Sequence, residues 1–238
     1  MTSDVDRSDR KRKGFKYPSP VAIGLLRAFA FVSSKLLWSI KFRGVENIPD
    51  PKIGGIVVAS NHTTYFDPAW ISLKLKWPLR YMAWDAVFEW RFIGPMIRHF
   101  GAFPVKLRSG PAKSTIVEAI RSLRDGAALV IFPEGEREFA DGKLHDFKSG
   151  AVHVALNAGV PILPVSIRGG NRIWPQGQKY PKFFRHVEII YHPIVILKEK
   201  PDDEDLEAYL EMMTLQLKRT IETGAKVEVE AETPTVAH

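Results

Sequence analysis

Ile53-Gly-Gly-Ile-Val-Val-Ala-Ser-Asn-His-Thr-Thr-Tyr-Phe-Asp-Pro68 falls into an apolar half and a polar half. Residues 53–60 are β-branched and entered through glycines, the pattern of a short buried strand. Residues 61–67 follow as a polar loop, and Pro68 closes it. A residue before proline is pushed out of the helical region, proline is favoured at the first helical position, and Asp is a favoured N-cap. The stretch therefore predicts strand, loop and helix, with Asp67 as N-cap of a helix over about residues 68–76. His62 lies on the loop that feeds it. An imidazole and a carboxylate held together at a strand end form a general base with its orienting group, the pair needed to deprotonate a weak oxygen or nitrogen nucleophile. Asp67 is then asked to cap the helix with one oxygen and orient His62 with the other. The same spacing also occurs in a plain helix start beside a polar loop residue, so the rest of the chain has to decide.

Downstream, residues 79–84 read as a second strand. Residues 88–100 read as an aromatic-rich helix interrupted at Gly94-Pro95, placed in the core, with an acyl-binding groove as the alternative. Residues 101–108 read as a short strand ending in two cations, Lys106 and Arg108. The period of Ile116, Val117, Ile120 and Leu123 predicts an amphipathic helix over 113–124, stopped by Asp125-Gly126. Residues 127–132 form a buried strand that runs straight into Pro133-Glu134-Gly135-Glu136-Arg137. A helix over 147–158 is C-capped by Gly159. The strand over 160–167 carries Pro161 and Pro164, which favour a sheet edge or a strand beginning. One more strand, 186–191, precedes a helix over 202–223, acid-rich at its start and with Lys218 and Arg219 near its end, matching the helix dipole.

This alternation implies an α/β fold: a single domain with a mixed, mostly parallel sheet flanked by helices. Ligands of such sheets bind at the carboxyl ends of strands. Three polar clusters fall there: His62 with Asp67, Lys106 with Arg108, and Glu134 with Arg137.

The start of the chain is different. Residues 1–19 are polar, with Arg10-Lys11-Arg12-Lys13 in their midst, and read as a disordered basic arm. No apolar core with a small-residue cleavage site follows, so a cleaved signal peptide is not expected. Residues 20–42 read as an amphipathic helix with Leu25, Phe29, Val32, Leu36 and Ile40 on one face. Arg27 and Lys35 interrupt any span, and the charge-free stretch is far short of the ~20 residues that cross a bilayer. A helix lying in the membrane interface fits this pattern; packing on the domain's own core is the alternative. The domain itself is then 43–223, and 224–238 is a flexible tail.

The chain has 238 residues, 45% hydrophobic and 26% charged, a formal net charge of +7 and no cysteine. The missing cysteine excludes a disulfide framework, a thiolate metal site and a cysteine nucleophile. The positive balance points to an anionic partner. No recognisable RNA- or DNA-binding motif accompanies it, so nucleic acid is not expected. His145, His153 and His192 lack ligand spacing, and no metal is expected.

Taken together, the blocks resemble those of the glycerolipid acyltransferases, the family of 1-acylglycerol-3-phosphate acyltransferase. Asn61, His62 and Asp67 match its first block, Asn-His-four residues-Asp. Phe132, Pro133, Glu134, Gly135 and Arg137 match its third. Val160, Pro161, Pro164 and Val165 match its fourth. The second block, a glycine followed six places later by arginine, is shifted: after Gly101 the arginine is Arg108, one place late, and Lys106 precedes it. Trp84, after Ala83, stands where members using a lysophosphatidic acid acceptor often carry lysine.

The resemblance implies acyl transfer from an acyl thioester, acyl-CoA or acyl-carrier protein, to the hydroxyl of a lysophospholipid. Its most direct form converts 1-acylglycerol-3-phosphate to phosphatidic acid. His62 would be the base and Asp67 its orienter; Gly135 would allow close backbone approach; Arg137, Lys106 and Arg108 would hold a phosphate; Glu134 would hold the loop or a glycerol hydroxyl. No cofactor is implied. The enzyme would sit on the cytoplasmic face of a membrane, against anionic lipid. Trp84 and the shifted Arg108 keep another lyso-lipid or amphiphilic alcohol open as acceptor. A thioester hydrolase using the same pair on water, and a lipid-binding module without chemistry, are the competing readings.

Overall fold

The computed structural model describes residues 15–106, 112–197 and 205–223. Arg108, most of the basic arm, the start of the last helix and the 224–238 tail lie outside the described residues. In chain order the regular elements are α1 (Pro20–Leu37), β1 (Ser39–Arg43), β2 (Ile56–Ser60), α2 (Asp67–Ser72), β3 (Leu79–Trp84), α3 (Ile93–His99), β4 (Ala102–Val105), α4 (Lys113–Arg124), β5 (Ala128–Ile131), α5 (Gly150–Ala158), β6 (Ile162–Arg168), β7 (His186–Tyr191) and α6 (Leu206–Thr223). Single 3-10 turns fill several of the connections.

All five residues of β2 are buried. Its side chains alternate between two cores: Ile56 and Val58 join Trp38, Trp70, Ile71, Leu75 and Trp77 on one face of the sheet. Val57 and Ala59 join Leu123, Val152, Ala155, Met213 and Leu217 on the other. Burial on both faces is why the stretch is a continuous apolar run rather than an alternating one. The seven strands stand in the order β1-β7-β6-β2-β5-β3-β4. β2 pairs in parallel with β5 on one side and β6 on the other. Only β6 and β7 pair antiparallel, so β7 and β1 run against the rest. The chain crosses over β2 between β5 and β6. Their carboxyl ends therefore frame that of β2, where open α/β sheets hold their ligands.

Three expectations need correction. The N-terminal helix ends at Leu37 rather than at residue 42, because Ser39 to Arg43 pair in parallel with β7 and make an edge strand. Of the two settings expected for the prolines of the 160–167 strand, the strand beginning holds: Pro161 precedes β6 and Pro164 is its third residue, while the strand itself is interior. Ile162 exchanges both backbone bonds with Val195, so the alternate residue Pro164 turns its missing N–H to the same side, one residue past the end of β7, where its carbonyl accepts from His192 N at 2.9 Å. Residues 88–100 do not form a buried broken helix. A 3-10 turn precedes α3, Gly94-Pro95 lies in the first turn of α3, and Trp90, Phe92, Ile93 and Met96 are exposed. The helix after the His62 loop starts at Asp67 and stops at Ser72, and Asp67 is not its cap.

The apolar face of α1 does not pack on the domain core. Leu25, Phe29 and Leu36 are 68%, 72% and 70% exposed, and Ser34 is its one buried residue. The helix is moored by its narrow edge: Arg27 Nη2 donates to Leu75 O at 2.6 Å, and Trp70 Nε1 donates to Ser34 Oγ at 2.9 Å.

Candidate active site

The end of β2 is stitched to β6 by a side chain. Asn61 Nδ2 donates to Ile167 O (2.9 Å) while Ile167 N donates to Asn61 Oδ1 (2.7 Å), so the amide acts as one more rung of the ladder. Asn61 Nδ2 also donates to Glu138 Oε1 at 2.6 Å. The loop that leaves this anchor is wrapped around the Asp67 carboxylate. Oδ2 accepts from His62 Nδ1 (2.9 Å), Thr63 N (2.5 Å) and Thr64 N (2.7 Å). Oδ1 accepts from the hydroxyls of Thr63 (3.1 Å) and Thr64 (2.7 Å). Asp67 does orient His62, but its second task differs from the one expected. It turns back onto the loop before the helix instead of capping the amides within it. Gly170 makes room for this arrangement, since a side-chain carbon there would run into Thr63 Oγ1.

His62 is held from three more directions. Its ring stacks on Phe132 with centroids 4.1 Å apart and planes 19° from parallel. Its backbone N–H donates to Glu134 Oε1 at 2.8 Å, and its carbonyl accepts from Glu138 N at 2.6 Å. With Nδ1 on Asp67, Nε2 is the nitrogen left for chemistry; it has no partner among the described residues. Two segments far apart in sequence, 61–67 and 132–138, are thus one unit.

Glu134 is buried, and both of its oxygens hold backbone: Oε2 accepts from His145 N at 2.8 Å. Burial pushes its carboxyl above the usual range, against the pull of those two N–H groups. It therefore holds the loop, the first of its two expected roles. Gly135 takes a positive φ of 78° and its N–H closes a turn on Phe132 O at 3.0 Å, so that N–H is not free to meet a substrate oxygen. Arg137 lies over the Tyr65 ring, 3.8 Å from its centroid. Its Nη1 donates to Trp174 O at 2.8 Å and Pro175 O at 3.4 Å. Nε and Nη2 have no partner among the described residues. Lys106 is exposed just beyond β4, three strands from β2, or roughly 14 Å at ordinary strand spacing. It is not in the cluster around His62.

Glu138, Thr63, Thr64, Tyr65 and Trp174 were not singled out in the sequence. Thr63 and Thr64 were legible in principle, as hydroxyls between an imidazole and a carboxylate. Glu138 was not, because its meaning depends on Asn61, far away in the chain. Burial, with negative Glu134, Asp67 and Asp141 nearby, pushes the Glu138 carboxyl up to about 8. The folded chain thus keeps a proton that the unfolded chain releases near the ordinary value of 4.5. Stability from this group is full below that value and declines as pH rises through the interval to about 8. Glu138→Gln keeps an acceptor for Asn61 without the charge. Its melting temperature should match the wild type near pH 4.5 and exceed it above pH 8; melts at both pH values check this, and an equal difference at both would refute the titration.

Among the described residues no group of three or more His, Asp or Glu side chains is placed to hold a metal. His192 instead bonds Ser166 Oγ through Nε2 at 2.6 Å inside the domain.

An acyltransferase family profile matches residues 39–168, more than half of the chain and the part that builds this site. The chain belongs to the acyltransferase family. It is similar to the chloroplastic 1-acyl-sn-glycerol-3-phosphate acyltransferase of Arabidopsis thaliana, 29% identical over 71% of this chain and 47% of that one. The 1-acyl-sn-glycerol-3-phosphate acyltransferase of Bacillus subtilis is 31% identical over 58% of this chain and 69% of its own length. The chain spans about half the length of its chloroplastic relatives in Arabidopsis thaliana and Brassica napus. Among solved structures, the 1-acyl-sn-glycerophosphate acyltransferase PlsC of Thermotoga maritima superposes with a TM-score of 0.66. It is 27% identical, over 87% of this chain and 81% of that one. In this chain the matched region includes β2 and β5, whose carboxyl ends carry the His62–Asp67 and Glu134–Arg137 segments.

Proposed function

We propose that this protein transfers a fatty acyl group from an acyl thioester to the free hydroxyl of a lysophospholipid, with 1-acylglycerol-3-phosphate as acceptor and phosphatidic acid as product. The observation that carries this reading is the His62 Nδ1–Asp67 contact of 2.9 Å, which leaves Nε2 available as base. An alcohol is too weak an acid to attack a thioester unaided at neutral pH. Nε2 takes the hydroxyl proton as the oxygen attacks the thioester carbonyl. Asp67 fixes the Nδ1–H tautomer and stabilises the imidazolium. The tetrahedral intermediate then expels the thiolate, and Nε2–H returns the proton to sulfur. The substrate is the nucleophile, so no enzyme cysteine or serine is needed. Acyl-CoA and acyl-carrier protein both supply the required thioester.

Arg137 serves the acceptor. Stacking on Tyr65 and the Nη1 bond to Trp174 O hold the guanidinium, and Nε and Nη2, without a partner among the described residues, form a fork suited to phosphate. The test is product analysis with acyl-CoA and acyl-carrier protein as donors and lyso-lipids bearing phosphate, choline or ethanolamine head groups as acceptors. Esterified product is expected, and free fatty acid alone would instead mean hydrolysis. Arg137→Ala should raise KM for the phosphate-only acceptor about tenfold to a hundredfold, as loss of a charge-assisted bond implies. An unchanged KM removes Arg137 from acceptor binding.

In this reading the protein works on a membrane surface, and the exposed apolar face of α1 supports that position. The basic residues Arg10 to Lys13 just before it favour the cytoplasmic leaflet. A monotopic position suits a lipid acceptor that never leaves the bilayer plane.

A further inference from the structure

The connection between β6 and β7 carries a feature that acyl transfer does not use. From Phe147 to Val187 the sequence contains no acidic residue, and Lys179-Tyr-Pro-Lys-Phe-Phe-Arg185 alternates cations with aromatic rings. Tyr180, Phe183 and Phe184 are all exposed, Phe184 at 81%. Phe184 is also the only non-glycine residue with positive φ among the described residues, at 56°. A bulky side chain disfavours that region, which glycine enters freely. The fold thus keeps a phenyl ring in solvent on a backbone that glycine would suit better.

The loop is not slack. Lys182 N donates to Ile173 O at 2.9 Å, and Gln178 Nε2 donates to the same carbonyl at 2.9 Å. Trp38 Nε1 donates to Lys182 O at 2.8 Å, and Phe184 N donates to Leu37 O at 2.7 Å. The last two bonds fasten the loop to the carboxyl end of α1, beside exposed Leu36. Its other end is Trp174, whose carbonyl holds Arg137.

We propose that residues 179–185 are a second membrane contact, taking the headgroup region of an anionic lipid surface, with Phe184 inserted and Lys182 and Arg185 on phosphates. Rings that are apolar on their faces and cations on flexible stems are the side chains that settle at this depth. A run of cations without acids selects an anionic surface rather than a protein face of mixed charge. The contact rests on the membrane reading of α1 and deepens it. With α1 it makes two points of attachment, and it sets the phosphate fork of Arg137 next to the headgroups.

The experiment is partitioning of the full chain onto phosphatidylcholine vesicles with and without phosphatidylglycerol, alongside thermal melts. Phe184→Gly should bind anionic vesicles about tenfold more weakly, as loss of an inserted ring implies, while its melting temperature stays equal or rises because glycine suits the backbone. The double variant Lys182→Glu, Arg185→Glu should lose about tenfold or more on anionic vesicles and change little on neutral ones. Leu25→Ser with Phe29→Ser reports on α1 separately. If Phe184→Gly partitions like the wild type, the loop contact is overturned; release by the α1 variant then leaves the α1 reading standing, and no release removes both. If the charge reversal has no effect, the assignment to an anionic surface is overturned.

Discussion

On the proposed mechanism, replacing His62 by alanine should lower kcat for acyl transfer about 10³- to 10⁴-fold and leave the fold intact. The expected loss follows from removing the group proposed to take the hydroxyl proton. Donor binding and the positioning of acceptor do not need the ring, so KM for the thioester changes little. Intact folding follows from how the loop is built. Without the imidazole, Asp67 still accepts from two backbone N–H groups and two hydroxyls, so no buried charge is orphaned. The cost is chiefly the lost stack on Phe132. Steady-state kinetics with a melt on the same sample reads both quantities. A variant that keeps more than about a tenth of wild-type kcat sinks the base assignment, since general-base contributions run well above tenfold.

Asp67→Asn separates the two halves of the motif, because it should lose activity and stability together. Five donors converge on this carboxylate, and an ionised carboxylate is the side chain that only accepts. Asparagine turns an NH2 group onto donors it cannot serve, in a site with no exposure to water. The expected loss of stability is about 3–5 kcal/mol, the range for breaking a buried charge network from one side. The catalytic loss is about 10²- to 10⁴-fold, since an unheld imidazole adopts the wrong tautomer or orientation. Denaturant unfolding and kcat measured on the folded fraction distinguish these effects. If Asp67→Asn melts like the wild type, the wrapped-loop account of Asp67 fails even if activity is lost.

The contrast between the two substitutions shows what sequence conveys about such a site and what it does not. His62 and Asp67 were legible because strand, loop and proline signals are local and their spacing is short. The α/β architecture was legible for the same reason: 79–84, 113–124 and 186–191 match β3, α4 and β7 to the residue. The direction in which Asp67 turns was not legible. Capping statistics favour amides ahead of it in the helix, whereas its partners lie behind it, chosen by the backbone path of Thr63 and Thr64. The interior position of β6 was hidden because the proline rule concerns an N–H, and the side on which that N–H is missed depends on where β7 stops. The exposure of Trp90, Phe92 and Met96 ran against their hydropathy, and pattern alone cannot tell an apolar residue that packs from one that meets lipid or solvent. Glu138, and the Tyr65 and Trp174 partners of Arg137, needed the three-dimensional arrangement, since these contacts join segments that sequence spacing does not relate.

The stitching of residues 61–67 to 132–138 bears on engineering. Asn-His-four residues-Asp looks like a cassette that could be moved to any strand–helix junction. In this fold its geometry is supplied from outside: Glu134 grips the His62 amide, Glu138 donates to the His62 carbonyl and accepts from Asn61, Ile167 pairs with Asn61, and Gly170 vacates the space Thr63 fills. A graft that carried only the seven-residue segment would bring the acid and the base without the frame that aims them. The smallest unit worth transplanting is the set of three neighbouring strand ends with their loops, and swaps between homologous domains should keep those loops from one parent.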